Sequence, residues 1–162
     1  MNRAPFSKGM SVLEVVIAAS IILILTTAIT QAWQSHLRLS RLNNERTQVA
    51  LILEEGSEIL RFLRDTSWST QIAPLNLNTT YYFSWDGSTY SATTSPQTLQ
   101  SKYTRTITFS SVARDGNDNI TSSGGITDQD TRKATITVTA TSTTGSIVST
   151  QAEMLIHDTF NN

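Results

Sequence analysis

Cysteine is absent from this chain of 162 residues. No disulfide can brace it outside a cell and no thiol chemistry is open to it, so core packing must hold it together. Proline is nearly absent as well, with three residues in all and none between Pro5 and Pro74; that long stretch lacks the residue that most reliably breaks a helix. Charge is sparse and balanced. The 12 basic and 13 acidic residues give a net charge of −1, too mild to capture nucleic acid electrostatically, and no basic stripe appears in the C-terminal part. Histidine occurs only as His36 and His157, with no serine or carboxylate at a recognisable catalytic spacing. Asp158 beside His157 reads as a surface pair, and Gly124-Gly125 as loop punctuation rather than a phosphate-binding loop. We therefore expect no enzyme, no catalytic residue and no cofactor. The length suits one small domain with a modest core, plus a stalk.

What the chain does have is one long apolar run. From Met10 to Ile29 only Glu14 is charged, and the polar remainder is Ser and Thr, which can bond to the backbone of their own helix. At 1.5 Å per residue the segment is ~30 Å long, the thickness of a bilayer hydrocarbon core. An acidic residue at the centre of such a helix costs ~2.5–3.5 kcal/mol on insertion scales, and less near an end. Glu14 is thus an expensive residue in an apolar setting, and a functional candidate by default. Arg3 and Lys8 precede the run with no acidic residue among them. That bias places the N-terminus in the cytoplasm and the C-terminal part across the membrane.

The string Gly9-Met10-Ser11-Val12-Leu13-Glu14, behind a short leader carrying Arg3 and Lys8, resembles the processing signal of type IV prepilins and type II secretion pseudopilins. The resemblance covers about the first fifth of the chain. It implies cleavage by a prepilin peptidase between Gly9 and Met10, methylation of the new Met10 amine, and an assembly role for Glu14 at the fifth mature position. Met10 stands where Phe is commonest in that family, and Ser11 where Thr is. Loss of residues 1–9 removes Arg3 and Lys8, leaving 10 basic against 13 acidic residues, or −3. The implied product is a minor pilin or pseudopilin, a structural subunit of a type IV pilus-like or type II secretion filament. Its implied partners are other pilin subunits, the peptidase, an inner-membrane assembly platform and, before assembly, the lipid bilayer. It would be a single-pass cytoplasmic-membrane protein with its head outside, and then part of an extracellular or periplasmic filament.

A physical case supports that role for Glu14. A free α-amine is largely protonated at neutral pH. In a membrane or helical bundle, such a cation and a nearby carboxylate each lower the other's desolvation cost. Met10 and Glu14 lie one turn apart in a straight helix and could pair locally; the resemblance favours pairing between neighbouring subunits, which would set axial register. Two simpler readings stand beside it. In one, the run is a secretory signal peptide cut near Ala32, which the charge at Glu14 opposes. In the other it is a signal anchor for a non-assembling protein whose β head binds a surface or ligand.

Beyond Ile29 the helix should continue. Residues Gln31 to Asp65 are rich in good helix formers. Val49, Ile52, Leu53, Ile59, Leu60 and Leu63 recur on one helical face, with Gly56 among them, suited to packing on a sheet. The polar stretch Gln34 to Gln48, with Asn43-Asn44 at a junction, should be a solvated neck, and Trp33 an interfacial anchor or a packing residue. From about Ser67 the composition turns to Thr, Ser, Asn and alternating apolar residues. Strands are expected at Tyr81–Trp85, entering a tight turn at Asp86-Gly87, and at Tyr103–Arg114. Ala134, Ile136, Val138 and Ala140 alternate with threonines. After Thr144-Gly145, Ser146 to His157 should close a hairpin with Val148, Ala152, Met154 and Ile156 on one parity. The expected fold is α+β and pilin-like: a long N-terminal helix, transmembrane in its first half, packed on a C-terminal antiparallel β-sheet of about four strands. The segments are a leader (1–9), a transmembrane and assembly helix (10–30), an amphipathic helix running into the head (31–66) and the β-sheet head (67–162).

One loop gathers oxygen side chains. Asp115, Asn117 and Asn119 have the alternate spacing at which a turn can aim three oxygens at Ca²⁺. Ile120 stands where a glycine is required, however, and no glutamate closes the loop. The spacing is therefore at most a weak metal candidate, and an Asx-rich hairpin loop is the preferred reading. The sequons at Asn78 and Asn119 are put down to chance in so Thr- and Asn-rich a chain.

Overall fold

The computed structural model describes residues 11–141 and 147–160. The leader, Met10 and the Thr144-Gly145 turn lie outside them. One helix, α1 (Val12–Thr66), is followed by a short π-helical turn (Trp68–Ile72) and seven strands: β1 (Tyr81–Trp85), β2 (Tyr90–Thr93), β3 (Thr98–Leu99), β4 (Tyr103–Arg114), β5 (Ile120–Thr121), β6 (Ile126–Thr141) and β7 (Ile147–His157). The chain divides into two compact units, one reaching Asn43 and one running from Asn44 to Asn162.

In the second unit α1 lies on an antiparallel sheet of order β2-β1-β4-β6-β7, with β3 and β5 also pairing on β4. The fold is α+β with a long N-terminal helix. Val49, Gly56, Ile59, Leu60 and Leu63 are the buried helix residues, with Ile52 and Leu53 half-buried, so the stripe expected from the 3.6-residue period is the face that packs. The sheet answers with Tyr103, Ile107 and Phe109 of β4, Ala134, Ile136, Val138 and Ala140 of β6, and Ile156 of β7, all buried. The intervening threonines of β6 are only half-buried, as the alternation requires. Each fully buried Leu or Ile contributes ~1.5–3 kcal/mol through the apolar area taken from water.

The four expected strands are present, and three short ones join them. β6 also begins at Ile126, earlier than the clean alternation suggests. Its first half carries Asp128, Asp130 and Arg132, and its register against β4 breaks between Ser111 and Val112. The β1–β2 turn is held by Asp86. Its Oδ1 accepts from the Ser88 and Thr89 amides at 2.8 and 2.9 Å, while Gly87 supplies the positive φ of 104°. These donors hold the Asp86 carboxyl below its ordinary pKa, the Thr89 amide most of all.

Two arginines tie helix, loop and sheet together. Arg132 of β6 donates to the carbonyls of Ile72, Leu75 and Ala73 at 2.8, 2.7 and 2.8 Å, filling acceptors left open where the π-helical turn ends. Arg105 of β4 sits on the inward parity, between Tyr103 and Ile107, and is buried. Its Nη1 donates to Ile52 O at 3.0 Å and lies 3.2 Å from Glu55 Oε2. Its Cζ stands 5.2 Å from the centre of the Phe83 ring. A Cβ on residue 56 would come within 2.8 Å of Arg105 Cδ. Gly56 is therefore where the helix admits this side chain, despite the ~1 kcal/mol that glycine costs inside a helix.

Further along the helix, Glu45 and Gln48, expected in the solvated neck, meet the sheet. Lys102 Nζ donates to Glu45 Oε1 at 2.8 Å, and the Tyr103 hydroxyl donates to the Gln48 side-chain oxygen. Near the end of the helix Glu58 pairs with Arg61 and Asp65 with Arg64.

Candidate functional site

The first half of α1 begins at Ser11, whose carbonyl accepts from the amides of Glu14 at 2.9 Å and Val15 at 3.2 Å. A residue in that position is a helix N-cap. Ser11-Val12-Leu13-Glu14 therefore also has the spacing of a capping box, a signal that the sequence itself carries. Glu14, in the first helical turn, additionally meets the favourable positive end of the helix dipole. The dipole lowers the cost of a carboxylate at this point, whatever partner it meets, and the capping-box spacing offers it a second local role. Gly9 and Met10, the residues of the expected cleavage and methylation, lie outside the described residues.

From Val12 to Ile29 the helix is apolar on every side. All its residues are exposed, including Ile21, Ile22, Leu23, Ile24 and Leu25 at 52–67%. A helix hydrophobic all round is stable only inside a large core or a membrane. This one is long and apolar enough to cross a bilayer. Its three hydroxyls, and that of Thr30 just beyond, are already satisfied. Ser20 donates to Val16 O (2.8 Å), Thr26 to Ile22 O (2.9 Å), Thr27 to Ile24 O (2.8 Å) and Thr30 to Thr26 O (2.7 Å). Each is the back-bond that hides a hydroxyl from an apolar surrounding. Trp33 follows, exposed, at the position of an interfacial aromatic.

Two open clefts lie among the described residues of the head. One, of about 400 Å³, is lined by Glu58, Ile59 and Phe62 of α1 with Trp85, Ser88 and Tyr90 of the first hairpin. The Trp85 and Tyr90 rings stack obliquely, 4.7 Å between centres. The other, of about 450 Å³, includes Arg114, Asp115, Asp118, Asp128, Asp130 and His157. Here Arg114 Nε donates to Asp128 Oδ2 at 2.6 Å and Nη1 to Asp118 O at 3.0 Å. The guanidinium, helped by the Thr131 hydroxyl, holds the Asp128 carboxyl at a pKa of about 2.

The oxygen-rich loop is turned on itself. Asp115 Oδ1 accepts from the amides of Asn117 and Asn119, both at 2.9 Å, and Oδ2 lies 3.4 Å from the Asn119 amide nitrogen. These donors, Asn119 foremost, lower the Asp115 pKa. The geometry is that of an Asx turn. Among the described residues no three His, Asp or Glu side chains gather as a metal site would need. His36 lies on α1, while His157 borders the second cleft. Compared with protein-family models, curated proteins and solved structures, the chain matches none.

Proposed function

We propose that the chain is a pilin-like subunit, a minor pilin or pseudopilin of a type IV pilus-like or type II secretion filament. In this reading it is inserted in the cytoplasmic membrane with its head outside, cut after Gly9, methylated at Met10 and assembled through the Met10–Ile29 helix. One observation carries it. The first half of α1 is apolar around its whole circumference yet opens with a carboxylate, and the same helix ends as the amphipathic layer of a β-sheet head. Lipid satisfies the apolar surface but not Glu14. A bundle of identical helices satisfies both, because each copy brings a cationic amine as well as a carboxylate. The resemblance of residues 9–14 to a prepilin signal supports processing by a prepilin peptidase and assembly into a filament of this kind.

The test must separate assembly from helix capping, since Glu14 suits both. Glutamine serves at the third position of a capping box as glutamate does but carries no charge. Leaving a buried cation without its partner costs ~3–5 kcal/mol, well beyond the ~1.4 kcal/mol that changes an equilibrium tenfold. In cells producing the full chain, filaments sheared from the surface should contain it beginning at Met10. Glu14→Gln should lower its share there by roughly tenfold or more. A Glu14→Gln chain that enters filaments as well as wild type removes the assembly role. A chain found only in membranes, with Met1 intact, is instead a tethered ectodomain.

A further inference from the structure

β7 ends the sheet, and its outer edge is unusually open. Its register with β6 is unbroken from Thr131 opposite His157 to Thr141 opposite Ile147. Exposed edges of natural sheets are usually short, bulged, interrupted by proline or guarded by lysine. β7 has 11 residues, with no bulge, no proline and neither lysine nor arginine. The opposite edge, β2, has only four residues.

One hydrogen bond fixes which backbone groups face outward. The Asp158 amide donates to Asp130 O at 2.9 Å, and these residues continue the β6–β7 register. Hydrogen-bonded pairs alternate along an antiparallel ladder. The even-numbered residues of β7 therefore bond to β6, and the odd-numbered ones turn their amides and carbonyls away. Ser149, Gln151, Glu153 and Leu155 are all exposed, and among the described residues no strand pairs beyond them.

We propose that this edge pairs with the same edge of a second copy, antiparallel about a twofold axis at Ala152. Ser149 then lies opposite Leu155 of the second copy and Gln151 opposite Glu153, each as a hydrogen-bonded pair. All residues of β7 are engaged. Even parity meets even parity, so the side carrying buried Ile156 stays on the side of the helix layer, as a register slip of one residue would not allow. Charge disfavours one neighbouring register as well. Glu153, the only Asp, Glu, Lys or Arg of β7, faces a glutamine. A slip that set Glu153 opposite Glu153 would oppose like charges across the ladder, which is destabilising. The pairing stands independently of the filament reading, since it concerns the head alone.

The absence of cysteine makes a clean test possible. Full-length chains bearing Gln151→Cys and Glu153→Cys are co-expressed, and membranes containing both are oxidised and run on non-reducing gels. The two cysteines would be ~5.5 Å apart between Cα atoms, within disulfide reach. Either variant alone would place its cysteines about two residues out of register, beyond ~7 Å. The expected result is a cross-linked dimer from the mixture and little from either variant alone. Adding Ser149→Pro to both chains should lower its yield roughly fivefold or more, because proline removes an outward amide and leaves the β6 ladder whole. The head's melting temperature should stay nearly constant. Equal cross-linking by Gln151→Cys alone, or a mixture yielding no more than cysteine on the Ser123 loop, overturns the proposal. The cysteine comparison decides it even if the proline variant misfolds.

Discussion

Residues 12–30 and 49–63 belong to one helix but solve different burial problems. The second stretch is apolar on a stripe, and that stripe is covered by the sheet; Leu60 and Val49 are completely buried. The first is apolar all round and wholly exposed. A stripe asks for one partner layer, which the chain supplies itself. A ring of apolar residues asks for an apolar surrounding on every side, which a single sheet of this size cannot give. Continuous helical structure therefore says little about what a helix is for. The angular width of its apolar surface says far more.

The sharpest way to break this contrast is to make the same kind of truncation in both stretches. Leu60→Ala removes a fully buried side chain and should cost the head ~3 kcal/mol, within the 2–5 kcal/mol typical of such cavities. Urea unfolding of the full chain in detergent, followed through buried Trp68, reads this. Ile24→Ala should leave the same transition unchanged within ~0.5 kcal/mol; a comparable loss at both sites would mean that the apolar ring supports the head after all.

Gly56→Ala sharpens the picture of the packed stripe. Alanine should favour an exposed helix interior by ~1 kcal/mol. Here its Cβ meets Arg105 Cδ and, at 3.3 Å, Ile136 Cγ2. The net effect should be a loss of ~1–2 kcal/mol in the same experiment, and a gain would show that Arg105 can move aside at no cost.

The smallest expected effect concerns acid. The pKa of Asp128 is lowered to about 2, below its unfolded value, so its pairing with Arg114 stabilises the head above about pH 4. That contribution fades as pH falls from about 4 to about 2. The pair is partly exposed, which limits it to roughly 1 kcal/mol. Asp128→Asn should lower the melting temperature at pH 6 and flatten its fall across that acid range; parallel curves for the two proteins would remove the pair from the account.

The sequence discloses elements whose periodicity is uninterrupted. Val49 to Leu63 keep the helical period, and Ala134 to Ala140 keep the strand period with threonine between, so both faces could be assigned before any packing was known. Legibility fails where a polar residue occupies an inward place. Arg105 breaks the apolar parity of β4, and its explanation lies across the interface at Gly56, far away in sequence. The early half of β6 is hidden by exposed Asp130 and by Asp128 and Arg132, the latter two engaged by neighbours the sequence does not specify. β2, β3 and β5 are too short to show a period. At the N-terminus, the spacing of Ser11 to Glu14 is legible as a cap. The outward phase of β7 had no sequence signal, because only the Asp158–Asp130 bond establishes it.

In the proposed transfer from bilayer to filament, the back-bonded hydroxyls of Ser20, Thr26, Thr27 and Thr30 would need no new partners. Each has its partner within the helix, so none must be stripped from one neighbour and found another when the surroundings change. Passage between two greasy environments is then governed by shape and dispersion alone along most of its length. The lone acid at its head is left as the group that can tell one environment from the other.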